Sequence, residues 1–315
     1  MPGRRGVATV SYTHLRAHVC LATCAALPEL DEDERLVIGP LEARGIRVSA
    51  AVWDDPTVDW AGFDLVVIRS TWDYTTRRDE FVAWARSVEQ VTRLANRAGV
   101  IEWNTDKRYL RELEASGIPV VPTTWLEPGA AVELPTAGAH VIKPSVGAGS
   151  LDAERFDLAN PVDAVAARSH AERLLASGQT VMVQPYISSV DEHGEAGLVF
   201  LRGEYSHAIT KSAMLGAPKE SIAGLYKAEV ITERVPSAAE LALARRTLAA
   251  LPWPADELLY ARIDMLADAC GEAVLIELEL TEPSLFMAKA PGSERRFAKA
   301  IWSALGAASR SLRIK

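Results

Sequence analysis

Residues 273 to 283, "AVLIELELTEP", leave the chain little choice of structure. Apolar and acidic side chains alternate from Ile276 to Leu280, which is the two-residue period of a strand and not the 3.6-residue period of a helix. Glu277 and Glu279 must then share one face, while Ile276, Leu278 and Leu280 turn into a core. The run "LLYARIDMLA" before it is also strand-like and is joined to it through Asp268 to Gly271, so a hairpin is expected to bring Asp264 toward the two glutamates. Three carboxylates on one surface repel one another unless a cation lies among them. Two readings satisfy that condition: Mg²⁺, a hard ion taken by carboxylates together with phosphate oxygens, or a solvated strand face on which Arg262 neutralises part of the charge.

A second constraint comes from "HVIKPSVGAGS", residues 140 to 150, where Lys143 interrupts an apolar run. A buried amine needs an anionic partner. The small residues that follow would let backbone N–H groups close around a phosphate. This is no Walker loop, because the lysine precedes the glycines. Nor does a glycine fingerprint follow the first strand, as it would in a dinucleotide-binding unit. Lys107, expected in a helix over "NTDKRYLRELEASG", and Lys211, at the end of "HAITK", are further point charges of the kind that bind phosphate.

Composition narrows the partner. The chain has 315 residues, 49% hydrophobic and 24% charged, with no apolar run near the roughly 20 residues a membrane-spanning helix needs. A formal charge of −8 disfavours nucleic acid and anionic membranes, which call for a basic face. A small molecule is the expected partner; oligomeric state is not encoded. Cys20, Cys24 and Cys270 make neither a disulfide framework nor a zinc spacing, which fits a reducing cytoplasm. Residues 1–18 read as an unstructured leader, or the product of an upstream start codon, and not as a signal peptide, since Arg16 and His18 break the charged-then-apolar order.

Along the chain, "VCLATCAALP", "IRVSAAVWDD" and "DLVVIRS" read as strands, with one helix over "LDEDERLVIGPLEARG" and another over "RDEFVAWARSVEQVTRLA". That alternation predicts a parallel sheet with crossover helices, and "RSTWDY" would lie beyond its carboxyl ends, where ligands bind. From about Trp103 the pattern changes to grouped strands. "AHVIKPS" pairs with "ERFDL", a helix follows over "NPVDAVAARSHAERLLASG", then a strand "TVMVQPYI" and a hairpin "AGLVFLRGEYSHAITKS" turning at Arg202-Gly203.

The order of these motifs, lysine in "NTDK", lysine in "VIKPSVGAGS", strand "VMVQPYI", acidic "DEHGE", basic "HAITK", then Asp264 and "LIELELTEP", resembles the ATP-grasp superfamily from about residue 19 to the end. The resemblance implies an α/β and α+β architecture: a Rossmann-like pre-ATP-grasp substrate domain over 19–103, a central lobe over 104–183, and a carboxyl-terminal lobe with the metal site over 184–315, the two lobes clasping ATP. Carried over position by position, it implies that Lys107 and Lys143 contact the ATP phosphates. The loop holding Ser145, Gly147, Gly149 and Ser150 would be the lid above them. Gln184, Tyr186 and Ile187 would line the adenine pocket, with Glu192 or Glu195 near the ribose or substrate. Asp264, Glu277 and Glu279 would bind Mg²⁺, with Mn²⁺ as the alternative. The third of these positions is often asparagine in the family, so Glu279 adds a negative charge. Lys211 and Arg262 would be the catalytic cations.

An amino-acid-like substrate would be held in the first domain by Thr23, Arg69, Thr71, Asp73 and Tyr74, Arg69 gripping a carboxylate bidentately. The other reading there is packing by Trp72 and Tyr74, with Arg69 paired to Asp73. The "STWDY" pattern resembles ATP-grasp proteins of actinobacterial secondary metabolism, one member of which is a ligase that closes O-ureido-D-serine to D-cycloserine. Such ligases activate a carboxylate as an acyl phosphate for attack by nitrogen. The alternatives are an intermolecular amino-acid or peptide ligase, a nucleotide sensor without activity and, from a different class, an NAD(P)-dependent oxidoreductase.

Overall fold

The computed structural model describes residues 17–213, 221–222, 225–227 and 230–311; the expected leader therefore lies almost wholly outside the described residues. The amino-terminal unit holds β1 (His18–Thr23), the short helices α1 (Glu32–Arg35) and α2 (Ile38–Glu42), β2 (Arg47–Val52), β3 (Leu65–Ser70), α3 (Arg78–Val91) and β4 (Leu94–Ala95). Its sheet has the order β2-β1-β3-β4 with all pairs parallel, as the strand-helix alternation predicted. The single helix expected over residues 30–45 is instead broken into α1 and α2. Pro40 explains the break, since its ring clashes with the carbonyl four residues back and its nitrogen donates no hydrogen bond.

Helices α4 (Ala98–Asn104) and α5 (Tyr109–Ala115) lead on to β5 (Thr124–Leu126), β6 (Ala139–Pro144), β7 (Glu154–Asp157), α6 (Pro161–Ala176) and β8 (Val181–Pro185). Trp103, expected at a boundary, lies inside α4, and Lys107 sits in the turn between α4 and α5, not in a helix. The antiparallel sheet β5-β8-β6-β7 is capped by α6. Asn160 starts α6 by accepting from the Val162 N–H, and Pro161 occupies a first-turn position where a missing donor costs nothing. Gln184 shares β8 with Val183, so a boundary between them falls within a strand.

The third unit comprises α7 (Ser189–His193), β9 (Glu195–Leu201), β10 (Glu204–Lys211), the small pair β11 (Ser221–Ile222) and β12 (Tyr226–Lys227), β13 (Ile231–Arg234), α8 (Ala238–Ala249), β14 (Tyr260–Ala267), β15 (Ala273–Glu279) and α9 (Ser293–Ser311). Its main sheet runs β13-β10-β9-β14-β15. The β9–β10 turn has Arg202 at φ 51° and Gly203 at φ 76°, the left-handed pair that a two-residue hairpin requires. In the β14–β15 hairpin Asp264 faces Glu277 and Arg262 faces Glu279, so the expected hairpin does bring Asp264 toward the two glutamates. A bulge beyond Asp264 pairs Met265 with Leu275, leaving Ile276 as the extra residue. Ile276 consequently does not join Leu278 and Leu280 in the core; it is half-buried at the edge of a small cluster with Val121, Leu266 and Val274.

The units are tied into one body. Val19, Leu21, Leu65 and Val67 of the parallel sheet pack against Val199, Leu201 and Tyr260 of the third unit and against Phe297 and Ile301 of α9. Burying each such side chain contributes roughly 1.5–3 kcal/mol. Buried Asn96 adds polar fixings, donating to the carbonyls of Tyr260 (2.9 Å) and Leu280 (2.6 Å) and accepting from the Leu259 N–H (2.7 Å).

Candidate active site

A cleft of about 350 Å³ opens where the three units meet. Its apolar end is lined by Val121, Val141, Ile187, Val190, Leu266 and Ile276, with Gln184 and Tyr186 beside them. Gln184 is buried and donates to Thr123 Oγ1 at 2.9 Å, and the Tyr186 ring is covered by the Arg155 guanidinium 3.7 Å from its centroid. The middle of the cleft carries Lys107, Lys143, Lys211 and Arg262 among Glu195, Glu277 and Glu279. Its far end, toward the parallel sheet, is lined by Asp31, Asp33, Trp72, Tyr74, Glu282, Ser284 and Phe286.

The charges are interlocked. Lys107 Nζ contacts Glu277 at 3.0 Å and donates to the Gly147 carbonyl at 2.6 Å, joining the small-residue loop to β15. Lys211 contacts Asp264 at 2.8 Å and also pairs with Glu195. Arg262 grips Asp264 at 2.8–3.1 Å, pairs with Glu279 and donates to the Ser284 carbonyl at 2.9 Å. Burial opposes ionisation of Asp264, but Arg262 and Lys211 hold it well below the usual carboxylate range. At Glu277 burial is likewise outweighed, by Lys107 and Lys143, and the carboxyl titrates low. At Glu279 burial wins over Arg262, helped by Glu277, and raises it to about 8. Lys143 differs from the other cations: among the described residues it makes no ion pair, and burial lowers its amine.

A family model described as the N-terminal domain of D-cycloserine synthetase DcsG matches residues 19–96. The chain is 38% identical over 299 residues to the cycloserine biosynthesis protein DcsG of Streptomyces lavendulae, covering 90% of this chain and 97% of that one. The chain belongs to the DcsG family. The crystal structure of D-cycloserine synthetase DcsG superposes with a TM-score of 0.80 at 34% identity, over 92% of this chain and all of that one (100%). The D-alanine–D-alanine ligase of Bacillus anthracis (TM-score 0.64, 14% identity, 95% of this chain and 98% of that one) and the ATP-grasp ligase PsnB (TM-score 0.60, 16% identity, 92% and 99%) share the fold. Membership of the DcsG family and the ATP-grasp fold make this chain a ligase, as the motif order implied.

Most residues expected at the site do meet there: Lys107, Lys143, Lys211, Arg262, Glu195, Glu277, Glu279, Gln184, Tyr186, Ile187, Gly147, Gly149, Ser150 and Tyr74 all line the cleft. Others do not. Glu192 is exposed on α7, outside the cleft, so that of the two acidic candidates only Glu195 faces it. Ser145 is 1% exposed and hydrogen-bonds Asp106, anchoring the loop beneath its surface. Asp264 has no surface in the cleft, being 0% exposed with both oxygens held by Lys211 and Arg262.

The DcsG-type amino-terminal domain needs the largest correction. Arg69, expected to hold a substrate carboxylate or to pair with Asp73, does neither. It is 0% exposed, bonds both oxygens of Glu34 at 2.6 and 2.5 Å, reaches the Pro283 carbonyl at 2.5 Å and lies over the Tyr260 and Phe297 rings. Asp73 accepts instead from Trp53 Nε1 at 2.9 Å. Thr23 is sealed in the core, donating to the Leu27 carbonyl at 2.6 Å. Thr71 is fully buried with no surface in the cleft. Asp31, Asp33, Glu282, Ser284 and Phe286 were not anticipated, and the polar run after β15 was the one signal that could have suggested the last three.

The residues fit Mg²⁺ in part. Glu277 and Glu279 offer hard oxygens to the cleft with 26% and 25% of their side chains exposed, and the rise at Glu279 marks a carboxylate short of positive charge. Asp264 could take up a cation only by releasing Lys211 or Arg262.

Proposed function

We propose that the cleft uses ATP to phosphorylate a substrate carboxylate and then closes the acyl phosphate within the same molecule, converting O-ureido-D-serine to D-cycloserine. The observation that carries this reading is the gathering of four cations between an apolar pocket and the substrate end, with Lys143 lacking an anion among the described residues. A triphosphate supplies that anion. Lys107 and Lys143 hold its phosphates, and the tie from Lys107 to the Gly147 carbonyl keeps the small-residue loop over them, excluding water from the acyl phosphate. Gln184, Tyr186 and Ile187, with Val121 and Ile276, form the pocket for the base. Lys211 exchanges Asp264 for the transferred phosphoryl group, and Arg262 faces the charge that develops on the carboxylate.

Mg²⁺ held by Glu277 and Glu279, with Asp264 joining once Lys211 has moved, would neutralise charge on the phosphoryl group, and the same oxygens accommodate Mn²⁺. The oxygen-bound nitrogen of the ureido group attacks the acyl carbon and phosphate leaves. The ring nitrogen then still carries the carbamoyl group, which water must remove as carbon dioxide and ammonia to balance the reaction. Intramolecular attack gains from proximity and needs no second amine pocket. A small substrate and the need for ATP support a cytoplasmic reaction.

The test is phosphate release from Mg²⁺-ATP with O-ureido-D-serine alone, followed by mass analysis. Release with a product of cycloserine mass is the expected result. Release only when two amino acids are combined would overturn cyclisation in favour of an intermolecular ligase.

A further inference from the structure

The segment after β15 is held with unusual completeness. Five consecutive carbonyls each accept from a side chain: Thr281 from Tyr260 Oη (2.8 Å), Glu282 from Trp72 Nε1 (3.0 Å), Pro283 from Arg69 (2.5 Å), Ser284 from Arg262 (2.9 Å) and Leu285 from the His207 ring (2.7 Å). The donors come from the parallel sheet unit and from β10 and β14, so three parts of the molecule fix one short stretch. Preorganisation on this scale positions side chains as well as backbone.

What it presents to the cleft is the Glu282 carboxylate, 8% exposed and hydrogen-bonded to the Tyr74 hydroxyl. Every other carboxylate of the charged centre has a cationic partner: Glu195 has Lys211, Glu277 has Lys107, Glu279 has Arg262 and Asp264 has two. Glu282 has no ion pair among the described residues. Asp33 nearby is committed to the backbone N–H groups of Met287 and Ala288 at 2.8 and 2.7 Å. A carboxylate buried without a cation is costly, and the cost is relieved by a ligand that brings one.

We propose that Glu282, oriented by Tyr74, receives the α-ammonium group of the substrate and makes this cleft select an amino acid over the matching carboxylic acid. The assignment rests on the ligase reading above but not on the identity of the amino acid. Arg262, which fixes the carbonyl of Ser284, also faces the acidic centre, so the segment sets the distance between ammonium recognition and the activated carboxylate. Tyr74 is a positioning residue, acting through Glu282.

The experiment measures carboxylate-stimulated ADP formation for matched pairs with and without the α-amino group: O-ureido-D-serine and its desamino analogue, and D-serine and 3-hydroxypropanoate. Wild-type enzyme should favour the amino member by about 10- to 100-fold in kcat/KM, the range of a hydrogen bond to a charged group. Glu282→Gln should erase most of that preference while the KM for ATP and the Mg²⁺ requirement stay unchanged. Tyr74→Phe, which keeps the buried ring, should erase part of it and add little in the double variant. Retained preference in a folded Glu282→Gln, a changed Mg²⁺ requirement in its place, or wild-type stimulation by carboxylates lacking the amine would each overturn the assignment. Wild-type activity with D-serine but not O-ureido-D-serine would overturn the cyclisation reading alone, and no stimulation by any pair would overturn both.

Discussion

Replacing Arg69 by methionine distinguishes a buried structural cation from a substrate ligand. In the structure the guanidinium spends two hydrogen bonds on Glu34, at 2.6 and 2.5 Å, and one on the Pro283 carbonyl at 2.5 Å, with the two side chains 0% and 1% exposed. Removing one member of such a pair leaves the other as an uncompensated buried charge, at about 3–5 kcal/mol. At about 2–4 °C per kcal/mol, the thermal midpoint of the nucleotide-free enzyme should fall by roughly 6–20 °C. Glu34→Gln should fall comparably, because Arg69 is then the orphan. The double variant removes both charges, so its loss should be smaller than the sum of the two, with a coupling of about 1–3 kcal/mol. Arg69→Lys keeps the charge but lacks the planar fork needed to serve Glu34 and Pro283 together, and should lie between. Thermal unfolding of the four variants is the assay. An Arg69→Met enzyme with the wild-type midpoint and a raised substrate KM would refute the reasoning and return Arg69 to the substrate.

Three further outcomes are expected. Lys143→Met should raise the KM for ATP about 10- to 100-fold, the scale of a charge-assisted phosphate contact, without lowering the thermal midpoint, since no ion pair among the described residues is lost; an unchanged KM for ATP would remove Lys143 from the phosphate site. Glu277→Gln should abolish phosphate release while the circular dichroism spectrum is kept, because the core side of β15 is untouched; wild-type turnover by that variant would dismiss the acidic centre. Burial pushes the Glu282 carboxyl from 4.5 to about 7, so in that interval the folded chain holds a proton that the unfolded chain lacks. The resulting contribution to stability is complete below pH 4.5 and is lost as pH rises through about 7. Saturating amino-acid substrate should flatten that slope by favouring the ionised form, and Glu282→Gln should reduce it to the part due to Glu279, whose carboxyl is raised to about 8, which melting curves between about pH 5 and 8 would show.

Much of this was readable because local rules and tertiary demands agree. The Arg202-Gly203 turn, the Asn160-Pro161 start of α6 and the shared face of Glu277 and Glu279 follow from turn chemistry, capping and two-residue alternation, which need no knowledge of distant residues. The failures share the opposite property. Arg69 sits at the carboxyl end of a parallel strand, where side chains commonly meet ligand, and Glu34, packed in from α1, together with the Pro283 carbonyl, turns it inward. Ile276 left its face because one extra residue in β15 is accommodated as a bulge, which alternation alone does not announce. Glu282 follows the strand in a stretch that reads as an ordinary turn; its significance lies in donors drawn from residues up to 214 positions away, as with Arg69.

The ion pairs of the cleft bear on how such a site can exist without its nucleotide. Four cations left unpaired in a water-poor cleft would repel one another and favour opening. Here Lys107, Lys211 and Arg262 are each compensated by a carboxylate, and Lys107 is also hydrogen-bonded to the loop that covers it. Phosphate oxygens arriving in the cleft would exchange one anionic partner for another, so that desolvating these three cations is largely accomplished before binding. The displaced carboxylates, Glu277 and Glu279 foremost, then become available to a divalent cation. Lys143 stands outside this exchange, and its burial without an ion pair among the described residues makes it the group with the most to gain from the nucleotide. Glu282 holds the mirror position for the substrate: a buried carboxyl without an ion pair among the described residues, which a cation would ionise. A buried amine and a buried carboxyl, each without an ion pair among the described residues, therefore divide the recognition of the two reactants between them.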